Sequence, residues 1–173
     1  MNYGEIKKTD IANGPGVRVS LFVSGCTHHC KGCFNPETWS FSYGKPFTGE
    51  TAEEILLALK PAYISGLTLL GGEPLEDSNQ IQLLELVKQV KEVYPQKTIW
   101  CYTGYTFETD VLQGMCEQQS VTRKLLSYVD VLVDGEFIEE QKNIRLQFRG
   151  SENQRMIDVQ ASLAEKTTVL WNG

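Results

Sequence analysis

Two absences exclude broad classes of protein. The chain has no long apolar run, and its hydrophobic stretches fall far below the roughly 18 residues that a membrane span needs. It also has no excess of positive charge, because 16 lysines and arginines stand against 22 aspartates and glutamates. A formal net charge of -6 offers no basic surface for a phosphate backbone. The composition therefore predicts no membrane association and no nucleic-acid partner.

The first residues also lack a targeting signal. The stretch MNYGEIKKTDIANGPG has neither the basic start and apolar block of a signal peptide nor the arginine-rich character of a transit peptide. This predicts a cytoplasmic location. The chain shows no internal repeat and no linker rich in proline, glycine and serine, so we expect residues 1–173 to form a single domain.

Cysteine is scarce, with five residues in all, and the odd number argues against a disulfide framework. Three of the five lie in the stretch CTHHCKGC at positions 26–33, directly after an apolar segment. Thiolates are soft ligands that select zinc, copper(I) or iron–sulfur clusters. The spacing therefore predicts a metal site held by Cys26, Cys30 and Cys33.

The identity of that metal is constrained by the missing fourth ligand. Structural zinc normally uses two ligand pairs, and His28 and His29 lie on too short an arc to supply the second pair. A cubane iron–sulfur cluster asks for four thiolates, but Cys101 and Cys116 fall in a predicted strand and a predicted helix, where buried structural thiols are common. Three thiolates would leave one iron open, as in catalytic metal sites. A zinc-binding module and an electron carrier closed by Cys101 or Cys116 remain as alternatives.

The pattern of apolar residues predicts alternating strands and helices. Such alternation is typical of parallel strands joined by right-handed crossovers, with ligands at the carboxyl ends of the strands. The segment 3–9 could pair with the first strand through the NGPG turn, and Thr51 with Glu54 has the spacing of a capping box. The predicted strands are 17–24, 67–70, 98–102, 129–135 and 167–171, and the predicted helices are 51–60, 78–94 and a region from about 106 to 127.

Four chemically distinctive segments follow the ends of these strands. They are the cysteine loop, Gly71 to Glu73, Thr103 to Tyr105, and Asp134 with Gly135. Barrel-like α/β proteins build their sites at this edge, but a complete eightfold barrel needs about 250 residues. The sequence therefore predicts the α/β class and an incomplete, TIM-like βα barrel of mostly parallel strands with an open side.

The cysteine spacing and a second block together resemble a known superfamily. CTHHCKGC has the Cys-x-x-x-Cys-x-x-Cys pattern of radical S-adenosylmethionine enzymes, and GGEP at 71–74 is similar to their second motif. The resemblance implies a 4Fe–4S cluster on the three cysteines, with S-adenosylmethionine bound at the open iron. Many members carry an aromatic residue before the third cysteine, where this chain has Gly32. The resemblance implies cofactor contact through Gly32, Cys33 and Phe34, with the adenine against main chain and Phe34.

Further blocks resemble the glycyl-radical activases of the anaerobic ribonucleoside-triphosphate reductase. This resemblance implies an oxidoreductase that reductively cleaves S-adenosylmethionine to a 5′-deoxyadenosyl radical and generates a glycyl radical on the large subunit of that reductase. A reduced flavodoxin or a similar protein would donate the electron. The alternatives are an activase of the pyruvate formate-lyase type and a small-molecule radical enzyme, although an open barrel favours a protein loop as substrate. The matching blocks are NGPGVR (13–18), LFVSGC (21–26), CFNPETW (33–39), YTGY (102–105), VLVDGEF (131–137) and RGSENQR (149–155).

The remaining candidate residues follow strands. Gly71 and Gly72 would let the main chain approach the methionine portion, and Glu73 would accept from its ammonium. Asp134 could accept from a ribose hydroxyl or hold a cation, although Asp–Gly is also a common turn, and Thr103 is a similar case. We expect His28 and His29 to be exposed loop residues rather than ligands. The role of 149–155 stays open between the site, the partner and a solvated loop.

Overall fold

The structure is a computed structural model that describes residues 1–173. Seven strands form one mixed sheet in the order β3-β1-β2-β4-β5-β6-β7. The four central strands, β2, β4, β5 and β6, run parallel, whereas β1, β3 and β7 join the sheet by antiparallel pairing. The strands are β1 (Asn2–Asp10), β2 (Val17–Val23), β3 (Lys45–Pro46), β4 (Ile64–Gly71), β5 (Thr98–Tyr102), β6 (Val131–Asp134) and β7 (Arg155–Asp158).

The structure confirms the hairpin of β1 with β2 and the alternation of parallel strands with helices, whereas curvature of the sheet into a partial barrel stays a prediction. The strand predicted at 167–171 is wrong. Leu170 makes only an isolated bridge to Ile157, and the last strand of the sheet is β7, which pairs with β6. The short apolar run TTVLW makes two main-chain hydrogen bonds to β7 without forming a strand, and Trp171 lies against Trp100 on the face of the sheet.

The chain forms five α-helices, four between strands and one after β7. They are α1 (Gly49–Leu59), α2 (Asp77–Val93), α3 (Cys116–Gln118), α4 (Ser120–Leu126) and α5 (Val159–Glu165). The predicted helical region from about 106 begins with a π-helical segment, Phe107–Met115, and two 3₁₀ turns occur at Pro36–Trp39 and Glu139–Gln141. No helix is long and apolar enough to cross a membrane.

Helix α1 starts earlier than its sequence signal indicates. The predicted capping box of Thr51 with Glu54 is wrong, because Thr51 occupies the third helical position and Thr48 is the N-cap. The Thr51 N–H donates to Thr48 Oγ1 at 3.4 Å, and the Thr48 N–H donates to Thr51 Oγ1 at 3.2 Å. The hydroxyl groups of Thr48 and Thr51 therefore accept from main-chain N–H groups at the start of the helix. The sequence pattern had assigned part of this capping to Glu54.

The two faces of the sheet carry different cores. Alternate residues of β5 point to opposite faces, so Ile99 and Cys101 join the large core beneath the helices. Trp100 lies in a smaller cluster on the other face, where its ring meets those of Phe148 and Trp171 edge-on at 5.6 and 5.0 Å. The helices thus cover one face, and irregular segments with the chain terminus cover the other.

The amino ends of the central strands are held by Arg18, a fully buried residue of the NGPGVR block. Its guanidinium donates to Thr68 Oγ1 at 2.7 Å and to Thr98 Oγ1 at 2.9 Å, which joins β2 to β4 and β5. Burial lowers the pKa of Arg18 to about 10. Gly14 has a φ of 128°, and a Cβ there would lie 2.7 Å from Arg18 Cδ. This block therefore builds the end of the sheet opposite the cysteine loop.

Candidate functional site

The four distinctive segments meet at the carboxyl ends of the parallel strands. The Gly72 N–H donates to the carbonyl of Val23 at 2.8 Å, and the Glu73 N–H donates to that of Gly25 at 2.8 Å. On the neighbouring strands, the Thr103 N–H donates to the carbonyl of Val133 at 2.9 Å. Main-chain hydrogen bonds thus tie GGEP to the start of the cysteine loop and the 103–105 segment to the end of β6, and the segments line one edge of the sheet.

The cysteine loop, residues 26–33, leaves β2 through left-handed turns. Gly25, His29 and Gly32 have φ values of 95°, 52° and 72°. At Gly25 a side chain would also be excluded, because its Cβ would lie 2.4 Å from the Phe41 ring. The Cys33 N–H donates to the carbonyl of Cys30 at 3.1 Å and closes a turn. These turns fold the loop back on itself and place three thiols on one short arc.

Each of the three thiols has main-chain N–H groups beside it. Burial raises the pKa of Cys26 to about 11, and the N–H groups of His28 and His29 oppose that rise. Burial also raises the pKa of Cys30, and the N–H of Phe137 opposes it. The Asn35 N–H donates to Cys33 Sγ at 3.4 Å. Such donors stabilise thiolates and modulate a bound cluster, so the donor set fits an iron–sulfur centre.

The thiols are free, but their present directions do not converge. No group of three histidine, cysteine, aspartate or glutamate side chains comes together with the geometry of a metal site. Coordination by Cys26, Cys30 and Cys33 stays a prediction and requires their side chains to turn toward a common point. Cys101 and Cys116 are buried in the large core, as predicted, which disfavours an electron carrier closed by either of them.

Glu73 is the central carboxylate of the site and is only 1% exposed. Its Oε1 accepts from the Leu75 N–H at 2.8 Å, and its Oε2 accepts from the Gly104 N–H at 2.8 Å. His28 Nε2 lies 3.1 Å from the same Oε2. The carboxylate therefore joins the ends of β4 and β5 to the cysteine loop. Its contact with a ligand ammonium stays a prediction.

The prediction that His28 is an exposed loop residue is wrong. Its side chain is 10% exposed and lies between Glu73 and Glu136, with Nδ1 3.0 Å from Glu136 Oε1. The hydrogen bond to Glu73, helped by Glu136, raises the pKa of His28 to about 9. Sequence reasoning missed this because Glu136 lies more than a hundred residues along the chain. His29 is exposed, as predicted.

The two glycines of GGEP are required for the main chain to pack against β2 and Gly25. Gly71 has a φ of 105°, and a Cβ there would lie 2.8 Å from Phe22 Cα on β2. A Cβ on Gly72 would lie 2.6 Å from the carbonyl oxygen of Gly25. The close approach of β4 to the start of the cysteine loop therefore excludes side chains here. The close approach of the main chain at Gly71 and Gly72 to the methionine portion of S-adenosylmethionine stays a prediction.

Asp134 is buried and already has protein partners. Its carboxylate accepts from Arg155 Nε at 3.0 Å and from the Phe107 N–H at 3.0 Å. Arg155 also makes two bonds to Glu108, at 2.9 and 2.7 Å, and they lower the pKa of Glu108 to about 2. Thr103 Oγ1 accepts from the Tyr105 N–H at 3.1 Å, as in a turn. Contacts of Asp134 and Thr103 with a ribose or a cation stay predictions.

A cavity of about 660 Å³ opens beside the cysteine loop. Asn153 Nδ2 donates to the carbonyl of Glu136 at 2.8 Å, which fixes the direction of the amide. Asn153 Oδ1 is buried and has no hydrogen-bond partner. An unpaired buried acceptor in a cavity wall fits a ligand that carries a donor group. The wall is formed by His28, Gly104, Tyr105, Thr106, Asp110, Asp134, Gly135, Glu136, Ile138, Asn153 and Arg155.

The end of the cysteine loop presents an aromatic side chain. Phe34 is 61% exposed, and its ring centroid lies 5.0 Å from that of Phe137. Lys142 Nζ lies 5.1 Å from the Phe34 centroid. Gly32 packs near Glu139, whose Oε1 would lie 2.9 Å from an added Cβ. Phe34 is therefore available for contact with a ligand, and that contact stays a prediction.

Comparison with known proteins places the chain among iron–sulfur proteins. A family described as "4Fe-4S single cluster domain" matches residues 12–157. A Vibrio cholerae protein is 46% identical over 156 residues, which cover 89% of this chain and 96% of that protein. An Enterobacteria phage T4 protein is 44% identical, with 90% and 93% covered, and an Escherichia coli K12 protein is 39% identical, with 89% and 96% covered. All three carry the name anaerobic ribonucleoside-triphosphate reductase-activating protein.

Proposed function

This chain belongs to the family of anaerobic ribonucleoside-triphosphate reductase-activating proteins, and we propose that it generates a glycyl radical on the reductase of its own cell. It is an iron–sulfur enzyme of the radical S-adenosylmethionine type. When bound, the 4Fe–4S cluster supplies the electron that cleaves S-adenosylmethionine into methionine and a 5′-deoxyadenosyl radical. That radical takes a hydrogen atom from a glycine of the reductase large subunit and leaves as 5′-deoxyadenosine.

One observation carries the proposal: the cysteine loop and the polar cavity share a wall. His28 belongs to the loop and lines the cavity, and its ring contacts Glu73 on one side and Glu136 on the other. A ligand held in this cavity would lie beside the loop that carries the three thiols. A small polar substrate and a metal cluster can therefore meet at one edge of the sheet.

The chain's own residues have distinct roles in this proposal. Cys26, Cys30 and Cys33 hold the cluster, with N–H groups beside their sulfurs. Glu73 is the acceptor for the ammonium of the ligand, because it is a buried carboxylate bonded to His28 and Gly104, which line the cavity. Asn153 Oδ1 accepts a donor of the adenosyl group, since it is buried and unpaired.

Further residues are placed to contact S-adenosylmethionine because they lie at the end of the cysteine loop or at the ends of neighbouring strands. Phe34 offers an exposed ring at the end of the cysteine loop, and Gly32 leaves the main chain accessible there. Thr103 and Asp134 follow neighbouring strands at the same edge, and Asp134 shapes the wall of the cavity. For Asp134 this includes holding Arg155 in the cavity wall.

The proposal includes an open architecture and an electron donor. A sheet with four central parallel strands supports an incomplete TIM-like barrel, whose open side would admit a glycine-bearing loop of the reductase. Such a loop would exclude water as it docks. A reduced flavodoxin or a similar low-potential protein would supply the electron.

The test combines the anaerobically reconstituted protein with S-adenosylmethionine, dithionite and the reductase of the same organism. We expect 5′-deoxyadenosine to form and an electron paramagnetic resonance signal of a glycyl radical to appear on the reductase. Pyruvate formate-lyase serves as the comparison substrate. A radical on pyruvate formate-lyase alone would contradict the assigned partner, and a cluster that cleaves no S-adenosylmethionine would contradict the activity.

A further inference from the structure

Arg155 is the only lysine or arginine in the wall of the cavity. Its side chain is 35% exposed, so the guanidinium is accessible to a ligand. An accessible arginine in a cavity is suited to bind phosphate or carboxylate, because its N–H groups match two oxygens of an anion. Whether an anion can bind here depends on how many of those N–H groups are free.

Two carboxylates already occupy four of the five N–H bonds of Arg155. Nη1 and Nη2 donate to the two oxygens of Glu108, at 2.9 and 2.7 Å. Nε donates to Asp134 Oδ1 at 3.0 Å, and Nη2 also donates to Asp134 Oδ2. Two negative charges thus surround one positive charge, and an incoming anion would meet a group of net negative charge.

Glu108 is the one member of this group that does not line the cavity. It belongs to the π-helical segment Phe107–Met115, and Thr168 Oγ1 donates to its Oε1. The bonds from Arg155 and Thr168 lower the pKa of Glu108 to about 2, so its carboxylate is ionised at neutral pH. The charge of Glu108 therefore acts on a ligand by neutralising Arg155, without contact with the ligand itself.

The other basic residue of the wall is neutralised in the same way. His28 lies between Glu73 and Glu136, whose oxygens are 3.1 and 3.0 Å from its ring nitrogens. Asp110 also lines the cavity, and its carboxylate accepts only from Thr106 and Thr109. Carboxylates therefore outnumber cations around the cavity even when His28 is counted as charged.

We propose that Glu108 is a specificity-determining residue, which keeps Arg155 from binding anionic nucleotides and so reserves the cavity for S-adenosylmethionine. This inference rests on the proposed function for the identity of the ligand. S-adenosylmethionine and the adenine nucleotides share adenosine, but they differ in charge. The sulfonium and the ammonium outweigh the carboxylate of the former, whereas a phosphate monoester such as AMP carries a charge of about -1.5 to -2 at pH 7. A wall of net negative charge attracts the first and repels the second.

The test measures how well AMP and adenosine displace labelled S-adenosylmethionine from the reconstituted protein in equilibrium dialysis. The ratio of their dissociation constants, AMP over adenosine, isolates the effect of the phosphate because both carry the same nucleoside. Glu108→Gln removes the charge at nearly constant volume, and its amide oxygen can still accept from Arg155. Glu92→Gln is the matched control, because Glu92 is exposed in the last turn of α2, which ends before the start of β5 at the opposite edge of the sheet.

We expect the wild type to bind AMP more weakly than adenosine, and the ratio to fall about tenfold in Glu108→Gln, since a freed guanidinium can bond the phosphate. A gain of AMP affinity does not result from a loss of stability. Glu92→Gln should keep the wild-type ratio. Asp110→Asn should lower the ratio by a smaller factor, because it removes a charge from the wall without freeing Arg155.

Equal binding of AMP and adenosine by the wild type would overturn the inference, and so would a wild-type ratio in folded Glu108→Gln. If Glu108→Gln does not fold, an unaltered ratio in Asp110→Asn overturns it instead. These results would leave the proposed function intact, whereas a wild-type protein that binds no S-adenosylmethionine would overturn both.

Discussion

His28 Nε2 lies 3.1 Å from Glu73 Oε2, so a histidine of the cysteine loop is bonded to the carboxylate that follows β4. The two residues are 45 positions apart, and the contact joins the GGEP block to His28, which lines the cavity. His28 thereby holds Glu73 in the direction in which it would meet a ligand.

Replacing His28 should weaken ligand binding without loss of the cluster. Asn cannot reach both Glu73 and Glu136, so we expect the Kd of S-adenosylmethionine to rise about fivefold in His28→Asn, as for the loss of about 1 kcal/mol from one oriented hydrogen bond. Equilibrium dialysis on reconstituted protein measures this. His29→Asn is the control, because His29 is exposed and asparagine tolerates its φ of 52°. Equal affinities in His28→Asn and wild type would contradict the role of this contact.

The cysteines should separate into cluster ligands and core residues. Cys30→Ala removes a thiol of the cysteine loop, and we expect it to lose most of its iron and all radical formation on the reductase. Cys116→Ala removes a sulfur from the large core, where we expect a loss of about 1 kcal/mol in stability with iron content retained. Iron and sulfide analysis, with urea unfolding, tests both. Full iron content in Cys30→Ala would refute the ligand assignment.

Gly72 should not tolerate a methyl group. A Cβ there would lie 2.6 Å from the carbonyl oxygen of Gly25, which is main chain and cannot rotate away. We expect Gly72→Ala to lower the free energy of unfolding by about 2–3 kcal/mol and to reduce iron binding. Gly114→Ala is the control, since its nearest atom would be 3.5 Å away and alanine favours helix by about 0.5–1 kcal/mol. Similar stabilities for the two variants, measured by urea unfolding, would contradict this reading of GGEP.

The ion pair of Arg155 with Glu108 should make the free energy of unfolding depend on pH over a defined range. Arg155 lowers the pKa of Glu108 from 4.5 to about 2, so the pair stabilises the folded state fully above about pH 4.5. This stabilisation is lost as the pH falls from about 4.5 toward 2, because Glu108 then takes up a proton. We expect Glu108→Gln to be less stable than wild type at pH 7 and to lose less stability in that window. Parallel unfolding curves for the two proteins across these pH values would exclude the linkage.

Much of the fold could be predicted because its signals are local. The strand at 98–102 was predicted with its observed bounds, and the helix at 78–94 lies within one residue of α2. Period-two and period-3.6 patterns need only neighbouring residues, and Pro95 ends α2 for a local steric reason. The burial of Cys101 was predicted from its place in an apolar strand.

The sequence by itself determined which chemical groups the site can offer, since three cysteines within eight residues and the GGEP block can be read without knowledge of the fold. Only the tertiary structure decided the partners of those residues. It paired Asp134 with Arg155, buried His28 between two carboxylates, and replaced the strand predicted at 167–171 by β7. Each of these depends on residues distant in sequence, whose contact is set by how the strands order in the sheet. No local periodicity records that order, so only the tertiary structure shows that residues 149–155 bond residues 135–138.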